Sequence, residues 1–526
     1  MLRRNMLIWL IALLPLLVAV DLQAQVVIRN AQIIDGAGTA PVVGDVLVTG
    51  NRIRAIGKNL KVPAGTREID ATGLVLAPGF IDLHSHSDRT IVKDSGRQNL
   101  NYLAQGVTSV LTGNCASGPV NVGAYYKKID QDSAGTNVMH LVPQGSVRRA
   151  VLKSENRPAS PAEIQRMVAL VDEGMRDGAW GMSTGLIYLP SSYASTDELV
   201  KLAERVSMHG GIYASHIRNE NTRLLEAVSE AITIGRRAKL PVHISHFKAS
   251  GLQAWGLASE AIALVVEARK AGQQVTADQY PYTASSTSLG AMVMPAKYRS
   301  RDELAAALKN KEEAEQLKES IRRGLRVRGE GKRLYVAGYK TNRAWQGKNL
   351  AELAVQEKKS TLEIVLEIQQ NGGASMVNFG MDEAEVRLIM KQSFVATASD
   401  GSARSLVDET QPHPRNFGCF PRKIGYYCLR GNVLPLAQAI RSASGLPADI
   451  IGLPERGYIR SGYWADLVLF DPKTFIDTAT FAKPKQLATG VRYLWVNGEL
   501  AIEKGKATGK LAGRALRHQS KDKSKK

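Results

Sequence analysis

Five apolar, strand-length runs along this 526-residue chain each close on a side chain that binds metal ions. In the first, Gly79-Phe80-Ile81-Asp82-Leu83-His84-Ser85-His86, two histidines stand one residue apart, and the period of a strand puts both imidazoles on one face. Neutral imidazole suits zinc-like metals, so the pair supplies part of a coordination sphere from one rigid element. Alone, such a pair is as readily a packed or solvated one. The other four runs end at Cys115 (from Val107), His216 (from Gly211), His246 (from Val242) and Asp400 (from Phe394).

Three more strand-like runs, 138–144, 180–184 and 275–280, bring the count to eight. Between the runs lie helix-length amphipathic stretches such as Pro161 to Met175, Thr196 to Met208, Arg223 to Ile234 and Ala258 to Ala271. Strand and helix in alternation imply parallel pairing, and eight such units predict an α/β chain closed into a (β/α)8 TIM barrel. Active sites of such barrels sit at the C-terminal ends of the strands, which is where the candidate ligands fall.

At these residues the chain resembles the amidohydrolase superfamily, and within it the N-acyl-D-amino-acid deacylase (D-aminoacylase) family. Ala77-Pro78-Gly79 running into His84-Ser85-His86 matches the superfamily's entry motif. The closer resemblance rests on Gly113-Asn114-Cys115, Ser183-Thr184-Gly185-Leu186-Ile187-Tyr188, Ser215-His216-Ile217-Arg218-Asn219-Glu220, Ser245-His246-Phe247-Lys248, Asp278-Gln279-Tyr280-Pro281-Tyr282, Ser399-Asp400-Gly401 and His413-Pro414-Arg415-Asn416. Many superfamily members bridge two metals with a modified lysine on the fourth strand. Trp180-Gly181-Met182-Ser183-Thr184-Gly185 has no lysine, and Cys115 matches the cysteine that replaces it in the deacylases. An inert buried thiol is the alternative for Cys115.

The resemblance implies a tightly held zinc (Zn2+) on Cys115, His216 and His246, with a second site near His84, His86 and Asp400. It implies hydrolysis of N-acyl-D-amino acids, or of dipeptides with a C-terminal D-residue, to a carboxylic acid and a free D-amino acid. Asp400 is expected to take a proton from the attacking water and pass it to the leaving amine. Lys248 and Tyr282 are expected to hold the α-carboxylate and Tyr188 to line the acyl side, with Arg218 and Arg415 as further anion-binding candidates. Lys248 has a solvated charge as its alternative, and the arginines structural ion pairs. His243, three residues before His246, is read as facing away from the metal. His140, His209 and His518 are read as packing or surface residues, and His413 as a supporting one.

Around the barrel (74–451) the segments 25–73 and 452–513 alternate in strand fashion and, by the same resemblance, build a small β-sandwich from both chain ends. Residues 285–347 read as an insertion between the seventh and eighth strands that can lie over the site. Here Met294-Pro295-Ala296-Lys297-Tyr298 departs from the family's tryptophan-containing pattern. The tail 514–526 reads as basic and disordered.

Arg3, Arg4, the apolar run Leu7 to Val20 and Leu22-Gln23-Ala24 form a secretory signal pattern. It predicts cleavage after Ala24 and export to a bacterial periplasm, with contact to a membrane only through the signal itself; an uncleaved anchor stays open. Export would let Cys419 and Cys428 form a disulfide. A net charge of +20 favours anionic partners, here small acyl-amino acids or D-terminal dipeptides and not nucleic acid, for which there is no binding motif. A cyclic amidase of the dihydroorotase or hydantoinase kind is the enzyme alternative, and a non-catalytic basic cell-envelope binding protein the alternative outside enzymes.

Overall fold

The computed structural model describes residues 25–520; the expected signal peptide, 1–24, lies outside the described residues. Eight parallel strands form the barrel: β1 (Phe80–Asp82), β2 (Val107–Thr112), β3 (Asn137–His140 continuing as Val142–Pro143), β4 (Gly181–Gly185), β5 (Ile212–His216), β6 (Val242–Ile244), β7 (Val275–Gln279) and β8 (Val395–Thr397). Each pairs in parallel with the next from β1 to β8. The ring closes just past β8 and β1, where Asp400 N donates to His84 O at 2.9 Å and His86 N donates to Gly401 O at 2.7 Å.

Strands covered on both faces need apolar or small residues throughout, and β2 (VTSVLT) and β5 (IYASH) are buried at every position. Ile212 and Ala214, on the same strand face as His216, share one buried cluster with Ile81, Leu111, Met139 and Ala396. Side chains from strands that are not neighbours meet in this way only across the barrel interior. The outer faces take helices whose ends are written in the sequence. Pro161–Arg176 starts from a Ser160–Glu163 capping box with proline in its first turn and buries Met167, Val171 and Met175.

Both chain ends join in one nine-stranded sheet, in which Val75–Pro78 lies between Gln25–Ile33 and the late strand Leu467–Phe470. The chain passes from this sheet into β1 through Gly79, where a Cβ would come within 2.3 Å of the Thr108 methyl. Only glycine allows that approach.

The insertion between β7 and β8 is longer than 285–347. Ser285–Ser288 pairs with Ser375–Asn378, which also pairs with Leu334–Gly338, so the unit runs to residue 378. It has its own core, including Leu317, Ile321, Trp345, Ile364 and Met376. The tail also departs from the expected disorder: Leu516 N donates to Val138 O at 2.8 Å, and Trp180 Nε1 donates to Leu516 O at 2.7 Å. The unpaired backbone of β3 supplies the acceptor that orders it. Cys419 and Cys428 are separate buried thiols, not a disulfide.

Candidate active site

At the C-terminal ends of the strands Cys115 Sγ lies 3.3 Å from His84 Nε2 and 3.6 Å from both His216 Nδ1 and His246 Nε2. Asp400 Oδ1 stands 3.0 Å from His86 Nε2 and 3.6 Å from His84 Nε2. Three of these residues hold left-handed backbone: φ is 50° at Cys115, 37° at His246 and 48° at Asp400. Each such conformation costs a non-glycine on the order of 1 kcal/mol and persists only where neighbours enforce it. The enforcement is visible at His246, whose N–H donates to Asp278 Oδ1 at 2.7 Å, and at Asp400, whose N–H is tied to β1.

A tetrahedral zinc site with ordinary Zn–N and Zn–S bonds separates its donor atoms by roughly 3.3–3.8 Å. The thiol stands at such a separation from each of its three imidazole neighbours. Their protonation also fits. Burial draws His84 down to about 4, against the opposing fields of Asp278 and Asp400, and draws His216 well below the ordinary histidine range. Both are therefore neutral near pH 7, as ligands must be. Burial, with Asp400 and Glu220, raises the Cys115 thiol; a divalent cation reverses that sign by stabilising the thiolate. The residues present fit zinc.

Behind the candidate ligands is a set of orienting groups. Asp278 Oδ2 stands 3.3 Å from His84 Nδ1 and 2.8 Å from His243 Nε2. His243 thus belongs to the site's support, a correction to the face argument that excluded it. Strand alternation stops at Ile244, so spacing from His246 no longer reports direction. Glu220 Oε1 lies 3.0 Å from His246 Nδ1 and accepts from Lys248 Nζ at 2.5 Å. Burial opposes ionisation of Glu220, but Lys248, His216 and His246 outweigh it and hold its carboxyl well below the usual range. A carboxylate on the far ring nitrogen is the usual partner of a metal-binding histidine. Asp278 and Glu220 sat in quoted motifs, but no spacing showed which histidine each would meet.

The expected substrate-binding residues separate into two groups. Lys248, Tyr188 and Arg415 surround the centre: Tyr188 packs edge-on against His216 at 5.0 Å, and Arg415 Nη1 pairs with Asp400 Oδ2 at 2.7 Å. Arg218 does not reach it. Its guanidinium is spent on Glu230 at 2.9 Å and on the Ser192 and Ala194 carbonyls. Tyr282 also turns away, with its ring under Arg422 and edge-on to His413 and Phe481. The chain bends tightly here, Tyr282 N donating to Tyr280 O, so Tyr280 takes the site-facing position. Arg415 Cζ lies 4.9 Å and Lys248 Nζ 5.7 Å from the Tyr280 ring, and the Tyr280 hydroxyl is buried without a hydrogen-bond partner among the described residues. His413 accepts from Arg415 N at 2.9 Å and so helps seat that arginine.

A cleft of about 620 Å³ opens over the centre, lined by His86, Cys115, Tyr188, Asp400, Arg415 and residues of the insertion. Burial would raise Asp400, but Arg415, His84 and His246 outweigh it and hold the carboxyl well below its ordinary value. It therefore faces the cleft as a carboxylate, able to receive a proton.

Residues 67–502 match the amidohydrolase family. The chain is 34% identical to the D-aminoacylase of Alcaligenes xylosoxydans xylosoxydans over 93% of its length and 96% of the relative's. It is also 34% identical to the N-acyl-D-aspartate deacylase of the same organism, over 93% of each. Among solved structures, D-aminoacylase superposes with a TM-score of 0.82 at 33% identity, covering 94% of this chain and 99% of that one. The N-acyl-D-glutamate deacylase of Bordetella bronchiseptica, solved with zinc and a phosphonate that mimics the tetrahedral intermediate, superposes at 0.81 and 29% identity, covering 94% and 100%. A dihydropyrimidinase from Brevibacillus agri, at 16% identity and a TM-score of 0.59, shares the fold.

Proposed function

The chain belongs to the amidohydrolase family, in its D-aminoacylase branch, and from that premise we propose that it is a zinc-dependent deacylase. It hydrolyses the amide bond of N-acyl-D-amino acids, giving a carboxylic acid and the free D-amino acid. The observation that carries the reading is the grouping of Cys115, His216 and His246, whose ligand atoms lie within 4.8 Å of one another, beside the ionised Asp400.

Cys115, His216 and His246 would hold the zinc, with His84, His86 and Asp400 offering a second position. Bound there, zinc supplies Lewis acidity, polarising the acyl carbonyl and making hydroxide available near neutral pH. Asp400 accepts the proton of the attacking water on Oδ1 or Oδ2 and returns it to the departing nitrogen, so the amine leaves neutral. Arg415, paired with the same carboxylate, keeps Asp400 ionised before the attack and holds its orientation. Lys248, Arg415 and the unpartnered Tyr280 hydroxyl form the cationic, hydrogen-bonding wall that receives the α-carboxylate. Tyr188 borders the acyl side.

The test is amine release from paired N-acetyl-D- and N-acetyl-L-amino acids by the zinc-loaded protein. Release from the D-series alone supports the reading, and release from hydantoins but from neither series overturns it. We further propose, from the signal pattern at residues 1–24, that the protein is exported and cleaved after Ala24. N-terminal sequencing of the mature chain that returned Met1 would refute export by cleavage.

A further inference from the structure

A second cavity, of about 320 Å³, lies beside the metal cleft under the insertion, and Thr287 lines both. It is many times the ~30 Å³ share of one liquid water. Its charged lining is unbalanced. Arg218, Glu220, Arg299 and Arg328 all face it. Arg218 is neutralised by Glu230 and Glu220 by Lys248. That leaves two guanidiniums without a carboxylate among the described residues. Arg299 donates only to the carbonyls of Met294, Ile187 and Ala291.

Arg328 donates from Nη1 to Gly324 O at 2.9 Å, while its buried Nε meets no acceptor among the described residues. Burial lowers it to about 10 with no carboxylate to oppose the shift. One further buried polar atom in the lining, the Ser192 hydroxyl, which can donate, also lacks a partner among the described residues. Buried polar groups are ordinarily paired, and a buried guanidinium needs an anion above all. Two such unpaired donors around one cavity, next to a site that handles carboxylates, have one economical explanation.

We propose that this cavity is a carboxylate subsite, built on Arg328 with Arg299 adding charge, for a substrate carboxylate remote from the scissile amide. This deepens the deacylase reading and rests on it. Two sources present that chemistry: an acidic side chain on the D-amino acid, or a carboxylated acyl group. A planar guanidinium pairs with either through two parallel hydrogen bonds.

Three substrates separate the cases: N-acetyl-D-glutamate, N-succinyl-D-leucine and N-acetyl-D-leucine. The expected result is a kcat/KM for one of the two doubly anionic substrates above that for N-acetyl-D-leucine, and which one identifies the source. Arg328→Gln should reduce that preference ratio by about tenfold or more, the size of one charged hydrogen bond, through KM. Arg328→Lys, which keeps the charge, should restore part of it. Melting temperature and zinc content of each variant confirm that it is folded. A preference that is absent, or a ratio unchanged in Arg328→Gln, overturns the subsite while turnover of N-acetyl-D-leucine upholds the deacylase. No amine from any of the three overturns both.

Discussion

His243 is joined to His84 through a single carboxylate oxygen, Asp278 Oδ2, at 2.8 Å and 3.3 Å. Burial alone would raise Asp278, but His84 and His243 outweigh it and hold its carboxyl far below the usual range. His84 is thereby fixed with Nδ1 toward Asp278 and Nε2 toward Cys115 and Asp400.

Asp278→Asn is therefore expected to lower zinc affinity or kcat/KM by about 10–100-fold, the usual size of such outer-shell losses. Competition with a chromophoric chelator measures the first and initial rates the second. Unchanged values for both would remove Asp278 from the site's support.

Asp400→Asn keeps the shape but cannot accept the proton. We expect kcat to fall by about 10²–10⁴-fold while bound zinc, held chiefly by Cys115, His216 and His246, stays near the wild-type amount. Metal analysis beside the kinetics distinguishes a lost proton carrier from a lost metal.

Cys115→Ala removes the one thiolate of the donor set. Zinc retained after dialysis against a chelator should drop below that of the wild type, and activity with it. In the wild-type protein, activity lost to a chelator should return on adding zinc.

Lys423 is 1% exposed and its Nζ has no hydrogen-bond partner among the described residues. Burial lowers it to about 7 from the ordinary 10.5. Between those values the unfolded chain binds more protons than the folded one, so stability rises with pH across that window. Below about 7 both states are protonated and the full cost of burying the charge is present. Lys423→Met should raise the melting temperature at pH 7 by several degrees and flatten its slope between pH 7 and 10. An unchanged slope would contradict this.

Deleting residues 514–526 strips β3 of the Leu516 N–H bond and leaves Trp180 Nε1 without its acceptor. Each buried bond is worth about 1 kcal/mol, so the truncated chain should melt lower while its zinc content holds. Thermal melts of both lengths decide the matter.

The eight strands, their order and the placing of six candidate ligand side chains at the C-terminal strand ends were legible in the sequence, because strand period and apolar runs are local properties. The candidacy of Cys115 as a metal ligand came likewise from its place at the end of β2 and its match to the deacylases, and the structure sets its Sγ among three imidazoles. Tyr280 and Tyr282 were not separable, since two residues apart on a strand means the same face. Only the bend recorded by Tyr282 N donating to Tyr280 O chooses between them. The insertion's end was also hidden, because Ser375–Asn378 earns its place by pairing with a strand some ninety residues earlier.

What the sequence determined by itself is the chemistry available: a cysteine, histidines and an aspartate delivered to one end of a barrel. What only the tertiary structure decided is how those groups are charged and aimed. Arg218 is spent on Glu230, whereas Arg415 pairs with Asp400 and still lines the cleft, and Asp278 serves two histidines from different strands. Those outcomes depend on distances across the barrel mouth and on burial, which no spacing along the chain contains.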